Sequence, residues 1–381
     1  MLNKYGAMDN RKGISIQQYK TDVGFRTLVE GVNENLYVIP KYQRKYRWKK
    51  EQVAALVESL IRGLPIPPIY TCRNKRNQLE ILDGQQRILS LFFYYIGYYL
   101  DRKKNNSVDF SEIKVEDCSF KEALASQYVL EKLHIQLKGE RGEEIPVDYA
   151  NLPVEVKRRI DYTSITIIEI KIDDEQQRTK ILRKIFENLN AKGSLLTQQE
   201  LRNGIYACDF YQMLQDYNRH NDKWRKIWGK EDAAERDMET LLRLCALRRY
   251  VRVDRKSSID FNFLIDQYHS SYSKLLDQFS EEAMTFDEVQ IKEYSNSLNS
   301  FFDLFQVNAT QSSKVALLES FYIVYEKLGV NKPITSDIYK EILKAPQYTS
   351  YTRQGTVKMK SMNGRWKIVY DIWSGNDKLH G

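Results

Sequence analysis

The chain has 381 residues, 42% hydrophobic and 29% charged, a balance that supports a sizeable buried core and excludes a disordered polyelectrolyte. Lysine and arginine outnumber acidic residues by 59 to 51, a formal net charge of +8, which favours polyanionic partners such as nucleic acid or nucleotides. Cys72, Cys118, Cys208 and Cys245 are dispersed with no CxxC pair, which argues against a zinc site or a disulfide framework and for a reducing cytoplasm. The start, MLNKYGAMDNRKG, lacks the apolar stretch of a secretory signal, and the most apolar run, 88–100, is too short to cross a bilayer. No membrane association is expected.

In chain order, Leu36-Tyr37-Val38-Ile39 reads as a strand closed by Pro40. From Glu51, apolar residues at Val53, Leu56, Val57, Leu60 and Ile61 line one face of a helix, and Gly63 stands where a C-terminal cap belongs. Ile69–Cys72 and Leu79–Leu82 predict a hairpin around the polar turn 73–77, and 85–100 a buried helix. The polar stretch 101–118 predicts a loop, and Ser164–Lys171, dense in isoleucine, another strand. Ile181, Leu182, Ile185, Phe186 and Leu189 mark an amphipathic helix, and almost every segment beyond about 205 has helical periodicity. The expected fold is α+β: an α+β lobe over 1–205 and a mainly α-helical lobe over 206–381. The tail from Tyr348 is left unassigned, with Asn363-Gly364 either a hairpin turn or a break between helices.

Three segments carry chemistry. Residues 39–48, IPKYQRKYRW, set Lys41, Arg44, Lys45 and Arg47 among aromatics, with Lys49 and Lys50 following. Guanidinium groups bind phosphate oxygens bidentately and rings stack on bases, although the same pattern suits an edge strand with solvated lysines. Residues 79–87, LEILDGQQR, run from a strand through a glycine turn into a helix. That geometry frees backbone N–H groups to hold an anion, with Arg87 one turn in and Asp83 able to bind Mg²⁺ or orient a water. On local chemistry alone Asp83 equally reads as an N-cap and Arg87 as a surface residue. Residues 186–203, FENLNAKGSLLTQQELRN, place Asn188 and Asn190 near a helix end, and Thr197 with Glu200 forms a capping box.

Taken in order, IPxYQRxYxW, SLIRGLPIPPI, ILDGQQR and FENLNAKGxxLTQQELRN resemble the DUF262 family. That family includes the amino-terminal part of GmrSD-type modification-dependent restriction enzymes and their phosphorothioate-sensing relatives. The likeness extends over roughly 33–250, since RDMETLLR at 236–243 is also similar to a family helix. The front portion, 39–87, resembles the ParB and sulfiredoxin nucleotide-binding layout, with Gly84-Gln85-Gln86-Arg87 as its G-x-x-R turn.

The resemblance implies nucleoside-triphosphate binding, and hydrolysis, at this turn. Asp83, Arg87 and Arg44 would be catalytic; Gln43, Gly84, Gln85, Gln86, Asn188 and Asn190 would bind nucleotide. Mg²⁺ would accompany the nucleotide at Asp83, while Lys45, Arg47, Lys49 and Lys50 would meet nucleic acid. Fused relatives carry an HNH nuclease, but His134, His220, His269 and His380 are widely spaced. DNA, plain or modified, and a separate nuclease are therefore the expected partners, and a homo-oligomer is open. The alternative is a non-catalytic DNA sensor, favoured if a basic stripe continued onto Arg243, Arg248 and Arg249.

Overall fold

The computed structural model describes residues 16–40, 46–101, 103–105, 110, 113, 115, 117–139, 141–172, 181–182, 184–185, 188, 197–232, 234–255, 261–266, 268–306, 315–353 and 355–375. The chain divides into two compact units, Met1–Leu195 and Leu196–Gly381.

In the first unit β1 (Ile16–Gly24), β2 (Tyr37–Val38), β3 (Ile69–Arg73), β4 (Leu79–Asp83) and β5 (Ser164–Ile172) build one mixed sheet in the order β1-β5-β3-β4-β2. β1 is antiparallel to β5, β5 parallel to β3, β3 antiparallel to β4, and β4 parallel to β2. Parallel neighbours need crossover connections: the one from β2 to β4 carries α2 (Lys50–Arg62), and the one from β3 to β5 carries α3 (Gln85–Ile96), α4 (Phe120–Gln127) and α5 (Val154–Asp161), while α1 (Phe25–Asn33) lies between β1 and β2. Phe25, Leu28 and Val29 of α1, Val53, Val57 and Leu60 of α2, and Ile69, Ile81, Ile165 and Ile167 of the sheet share one core with α3. Nearly every α3 side chain is buried, including Gln85, Gln86 and Ser90. Burying each large apolar side chain there contributes about 1.5–3 kcal/mol, so the turn that opens α3 rests on the best-anchored element of the unit.

Two local predictions need correction. The helix expected over 85–100 stops at Ile96, because Gly97 turns left-handed (φ +72°), and Tyr98–Leu100 continues as a strand against Leu130–Lys132. β1 escaped the pattern search because IQQYKTDVG shows no apolar alternation; its side chains from Gln17 to Asp22 are all exposed.

The second unit holds α6 (Gln198–Ile205), α7 (Asp209–His220), α8 (Asp222–Trp228), α9 (Arg236–Tyr250), α10 (Tyr272–Ala283), α11 (Glu288–Phe302), α12 (Val315–Leu328), α13 (Ser336–Lys344), α14 (Pro346–Arg353) and α15 (Met359–Ser374). An antiparallel hairpin, β6 (Val251–Arg255) with β7 (Phe261–Ile265), interrupts the helices and was not read from the sequence. Asn363-Gly364 marks neither a turn nor a break, and lies inside α15. The Asn363 side chain there accepts the Phe263 N–H (3.1 Å), and a Cβ on Gly364 would stand 2.5 Å from the Tyr351 ring. Glycine is kept for close approach to α14. The chain as a whole is α+β, as the alternating pattern implies.

Candidate functional site

The glycine turn is built by three constraints. β4 ends at Asp83, Gly84 adopts φ +97°, and α3 begins at Gln85. Only glycine fits: a Cβ at Gly84 would meet Ile69 Cγ1 at 3.0 Å and Arg87 Nη2 at 3.1 Å, in a conformation that L-residues avoid. The first intrahelical bond runs from the Ile88 N–H to the Gly84 carbonyl (2.9 Å). The N–H groups of Gln85, Gln86 and Arg87 thus precede the helical ladder, at the positive end of the helix dipole.

Arg87 reaches back across this turn. Its Nη2 donates to Asp83 Oδ2 (2.7 Å) and to the Pro68 carbonyl (3.1 Å), which fixes the guanidinium beside the end of β4. The arginine side chain is 17% exposed and the carboxylate 48%, so Asp83 keeps one face in solvent. Arg87 Nε and the Gln85 side-chain oxygen are buried with no partner among the described residues. Buried polar atoms without partners are uncommon enough to need an explanation, and two fall on the first turn of the same helix.

The basic-aromatic segment is bolted to this helix. Gln86 Oε1 accepts the N–H groups of Arg47 (2.8 Å) and Trp48 (3.1 Å). Tyr46, 1% exposed, shares a hydrogen bond with Ser90 (2.6 Å) and packs edge-on against Phe93, Tyr99 and Phe110. The Tyr99 hydroxyl donates to the Trp48 carbonyl. Two motifs separated by some forty residues therefore form one construction, with Arg47 and Lys49 exposed beside it and Lys50 paired to Glu131 (2.9 Å). Tyr46, Ser90 and Tyr99 hold this assembly and were not singled out in the sequence; Tyr46 sits within the motif, and Ser90 one helical turn after Gln86.

Of the remaining candidates, Gln43, Arg44, Lys45 and Asn190 lie outside the described residues. Asn188 is an exposed helical residue with no bond to the turn among the described residues. Beside α3, a cavity of about 290 Å³ has apolar walls from Ile39, Ile81, Ile88 and Leu89 and polar groups from Asn35, Arg76 and Gln78.

The third motif serves packing in the second unit. The Thr197–Glu200 capping box forms (3.1 and 2.7 Å). Arg202, 2% exposed, donates to Asp277 (2.8 Å), Glu239 (3.4 Å) and Ser273 Oγ (3.0 Å). Glu239 and Glu319 also hold Arg243 (2.9 and 2.8 Å) over the Tyr272 ring; burial pulls its pKa down, but Glu319, Tyr272 and Glu239 outweigh that and raise it. Arg243 is thereby withdrawn from any exposed basic stripe. His220 is exposed in the last turn of α7. Among the described residues no group of three or more His, Cys, Asp or Glu could hold a metal, and no helix is long and apolar enough to cross a membrane.

Residues 25–207 match the family model described as GmrSD restriction endonuclease, N-terminal domain. No curated protein matches the chain. The matched span starts at α1 and takes in the Arg47–Trp48 segment, the glycine turn and the Thr197–Asn203 helix, the same segments whose order resembled DUF262. Through residues 25–207 the chain belongs to the GmrSD-type, DUF262 family of restriction-endonuclease N-terminal domains.

Proposed function

We propose that the Asp83-Gly84-Gln85-Gln86-Arg87 turn binds the phosphates of a nucleoside triphosphate and promotes its hydrolysis, as one component of a DNA-directed restriction or anti-phage defence system. The observation that carries this reading is the first turn of α3. A helix start at the positive end of its dipole, a left-handed glycine that keeps the approach open, and side-chain atoms of Gln85 and Arg87 that are buried without a partner among the described residues converge there. In this reading the turn corresponds to the G-x-x-R turn of a ParB/sulfiredoxin-like nucleotide site.

In this reading the N–H groups of Gln85 and Arg87 hold phosphate oxygens, and Arg87, with donors to spare beyond Asp83 and Pro68, offsets charge developing on the transferred phosphoryl group. Arg44 is proposed as a second catalytic arginine on the family resemblance alone. Asp83 fits Mg²⁺: its Oδ1 has no hydrogen-bond partner among the described residues, its side chain is half exposed, and Mg²⁺ is commonly held by one or two carboxylates plus substrate phosphates. Bound there, Mg²⁺ would neutralise phosphate charge. Gln86 acts differently from its neighbours. Its oxygen already serves Arg47 and Trp48, so it positions the basic segment over the turn. On the dispersal of the four histidines, DNA cutting is assigned to a separate nuclease.

Binding of a fluorescent ATP or GTP analogue to the full chain, with and without Mg²⁺, tests the pocket directly. Saturable binding lost in Arg87→Ala supports the assignment, while binding indifferent to that change refutes it.

A second reading has one observation in its favour. The apolar cavity beside α3, with Arg76 and Gln78 at its polar side, has the volume for an extruded base. The same unit would then be a non-catalytic sensor holding a DNA phosphate at the glycine turn. Binding to DNA with no nucleotide turnover is the result that would select it.

A further inference from the structure

The second unit has a cluster of cations of its own at a surface concavity. At the end of α9, facing α11 and α12, a concavity of about 260 Å³ is lined by Arg248, Arg249, Lys327, Tyr294, Glu293 and Glu326 among others. Three cations meet two carboxylates there, and one carboxylate is already spent. Glu326 accepts from Ser297 at one oxygen and from Arg248 Nε (3.0 Å) at the other.

The cations are held in place but not saturated. Arg248 lies over the Tyr294 ring, 4.9 Å from its centroid, and the opposite support comes from Phe286, stacked on Tyr294 at 5.4 Å and 9°. Its only hydrogen bond uses Nε, so both terminal nitrogens lack an acceptor among the described residues. Lys327 Nζ donates to the Arg248 carbonyl (2.7 Å), which leaves two of its three protons unused. Arg249 is exposed and pairs with Glu282, whose other oxygen takes the Tyr250 hydroxyl (2.9 Å). Capping the C-terminal carbonyls of α9 would explain one bond from Lys327. It does not explain a second cation propped on stacked rings with its forked end unfilled.

We propose that this concavity binds a phosphoryl group, with the terminal nitrogens of Arg248 and the free protons of Lys327 as its donors and Arg249 at the rim. A guanidinium fork beside an ammonium matches the oxygens of a phosphate monoester or diester. The volume admits the phosphate with an attached sugar. Burial and the neighbouring Arg248 charge hold the Lys327 pKa below its ordinary value, against the opposing pull of Glu326. A bound dianion would reverse that direction and make the amine less nucleophilic.

The test is competitive acylation of lysines on the full chain at pH 8, resolved by peptide mass spectrometry. The additives are inorganic phosphate, pyrophosphate or a 12-base-pair duplex, and exposed Lys340 serves as reference. The expected result is saturable slowing at Lys327, about threefold or more, without slowing at Lys340. Arg249→Gln, a surface change, should raise the half-protecting concentration about tenfold, and Arg87→Ala should leave it unchanged. Protection by the duplex alone identifies a nucleic-acid backbone as the source; protection by phosphate or pyrophosphate identifies a free phosphoryl ligand. Equal slowing at Lys327 and Lys340, or none at Lys327 with any additive, overturns the proposal.

Discussion

The side-chain oxygen of Gln86 accepts the backbone N–H of Arg47 at 2.8 Å and, from the same position, that of Trp48 at 3.1 Å. One residue of the glycine-turn motif thereby fixes the path of the basic-aromatic motif. A helix residue that spends its acceptor on two main-chain donors is not available to read a ligand through that atom. It sets the distance between the helix start and the exposed Arg47 and Lys49 of the segment.

Replacing Gln86 by leucine should therefore strand two main-chain donors. Each of these part-buried bonds contributes about 0.5–1.5 kcal/mol, and the loss should appear in urea unfolding of the full chain. Gln86→Glu keeps an acceptor at the same position and should recover most of that stability. Equal destabilisation by both substitutions would show that the oxygen is not what matters.

Gly84→Ala probes the turn itself. The left-handed backbone costs an L-residue about 1–2 kcal/mol, and the added methyl would press on Ile69 and Arg87. The variant should fold with reduced stability, and nucleotide-analogue binding should fall further than the stability loss explains, because Arg87 is displaced. A variant that binds as tightly as the parent would contradict the close-approach argument.

Glu319 is 1% exposed and accepts from Arg243 (2.8 Å) and Tyr272 (2.8 Å), with Arg365 at 4.0 Å. Glu319→Gln would leave Arg243 with Glu239 alone and take the carboxylate from beside buried Arg365, and breaking a buried pair costs about 3–5 kcal/mol. Burial beside this carboxylate also drives the Tyr272 pKa well above its ordinary value. Hydrogen exchange should accelerate through residues 198–374 while α3 keeps its protection. Unchanged exchange in α9, α10 and α12 would show that the network adds nothing.

Much of the first unit was legible because its chemistry is local. The strand–glycine–helix signal at 79–87 needs only neighbouring residues, and the capping box at Thr197–Glu200 is a three-residue relation. What could not be read is what depends on distant partners. Nothing near Gln86 says that its acceptor belongs to Arg47 and Trp48, and nothing near Arg202 says that Asp277 and Glu239 enclose it. The polar-looking stretch 197–203 showed only a capping box, yet it is buried from Gln199 to Asn203, because in folded chains a charge can be interior when its partners arrive from other helices. β1 was invisible for the opposite reason: its exposed polar residues leave no hydrophobic period.

Exposed Arg47 and Lys49 flank the assembled turn. If DNA runs across this face, Arg47→Ala and Lys49→Ala should each weaken binding uniformly across sequences and lower the slope of log K against log salt by about one. Fluorescence anisotropy with a short duplex between 50 and 200 mM salt, roughly the range over which counterion release is resolved, measures this. Slopes equal to the parent's would place the DNA path elsewhere.

The most direct test of the central claim is phosphate release from each nucleoside triphosphate with Mg²⁺, with and without plain or modified DNA, by the full chain and by Arg87→Ala. The account predicts turnover in the parent, its loss in Arg87→Ala despite an unchanged fold, and a rate that responds to DNA. Turnover that survives Arg87→Ala, or no turnover under any condition while DNA binding still depends on Arg87, would contradict a hydrolase centred on the glycine turn.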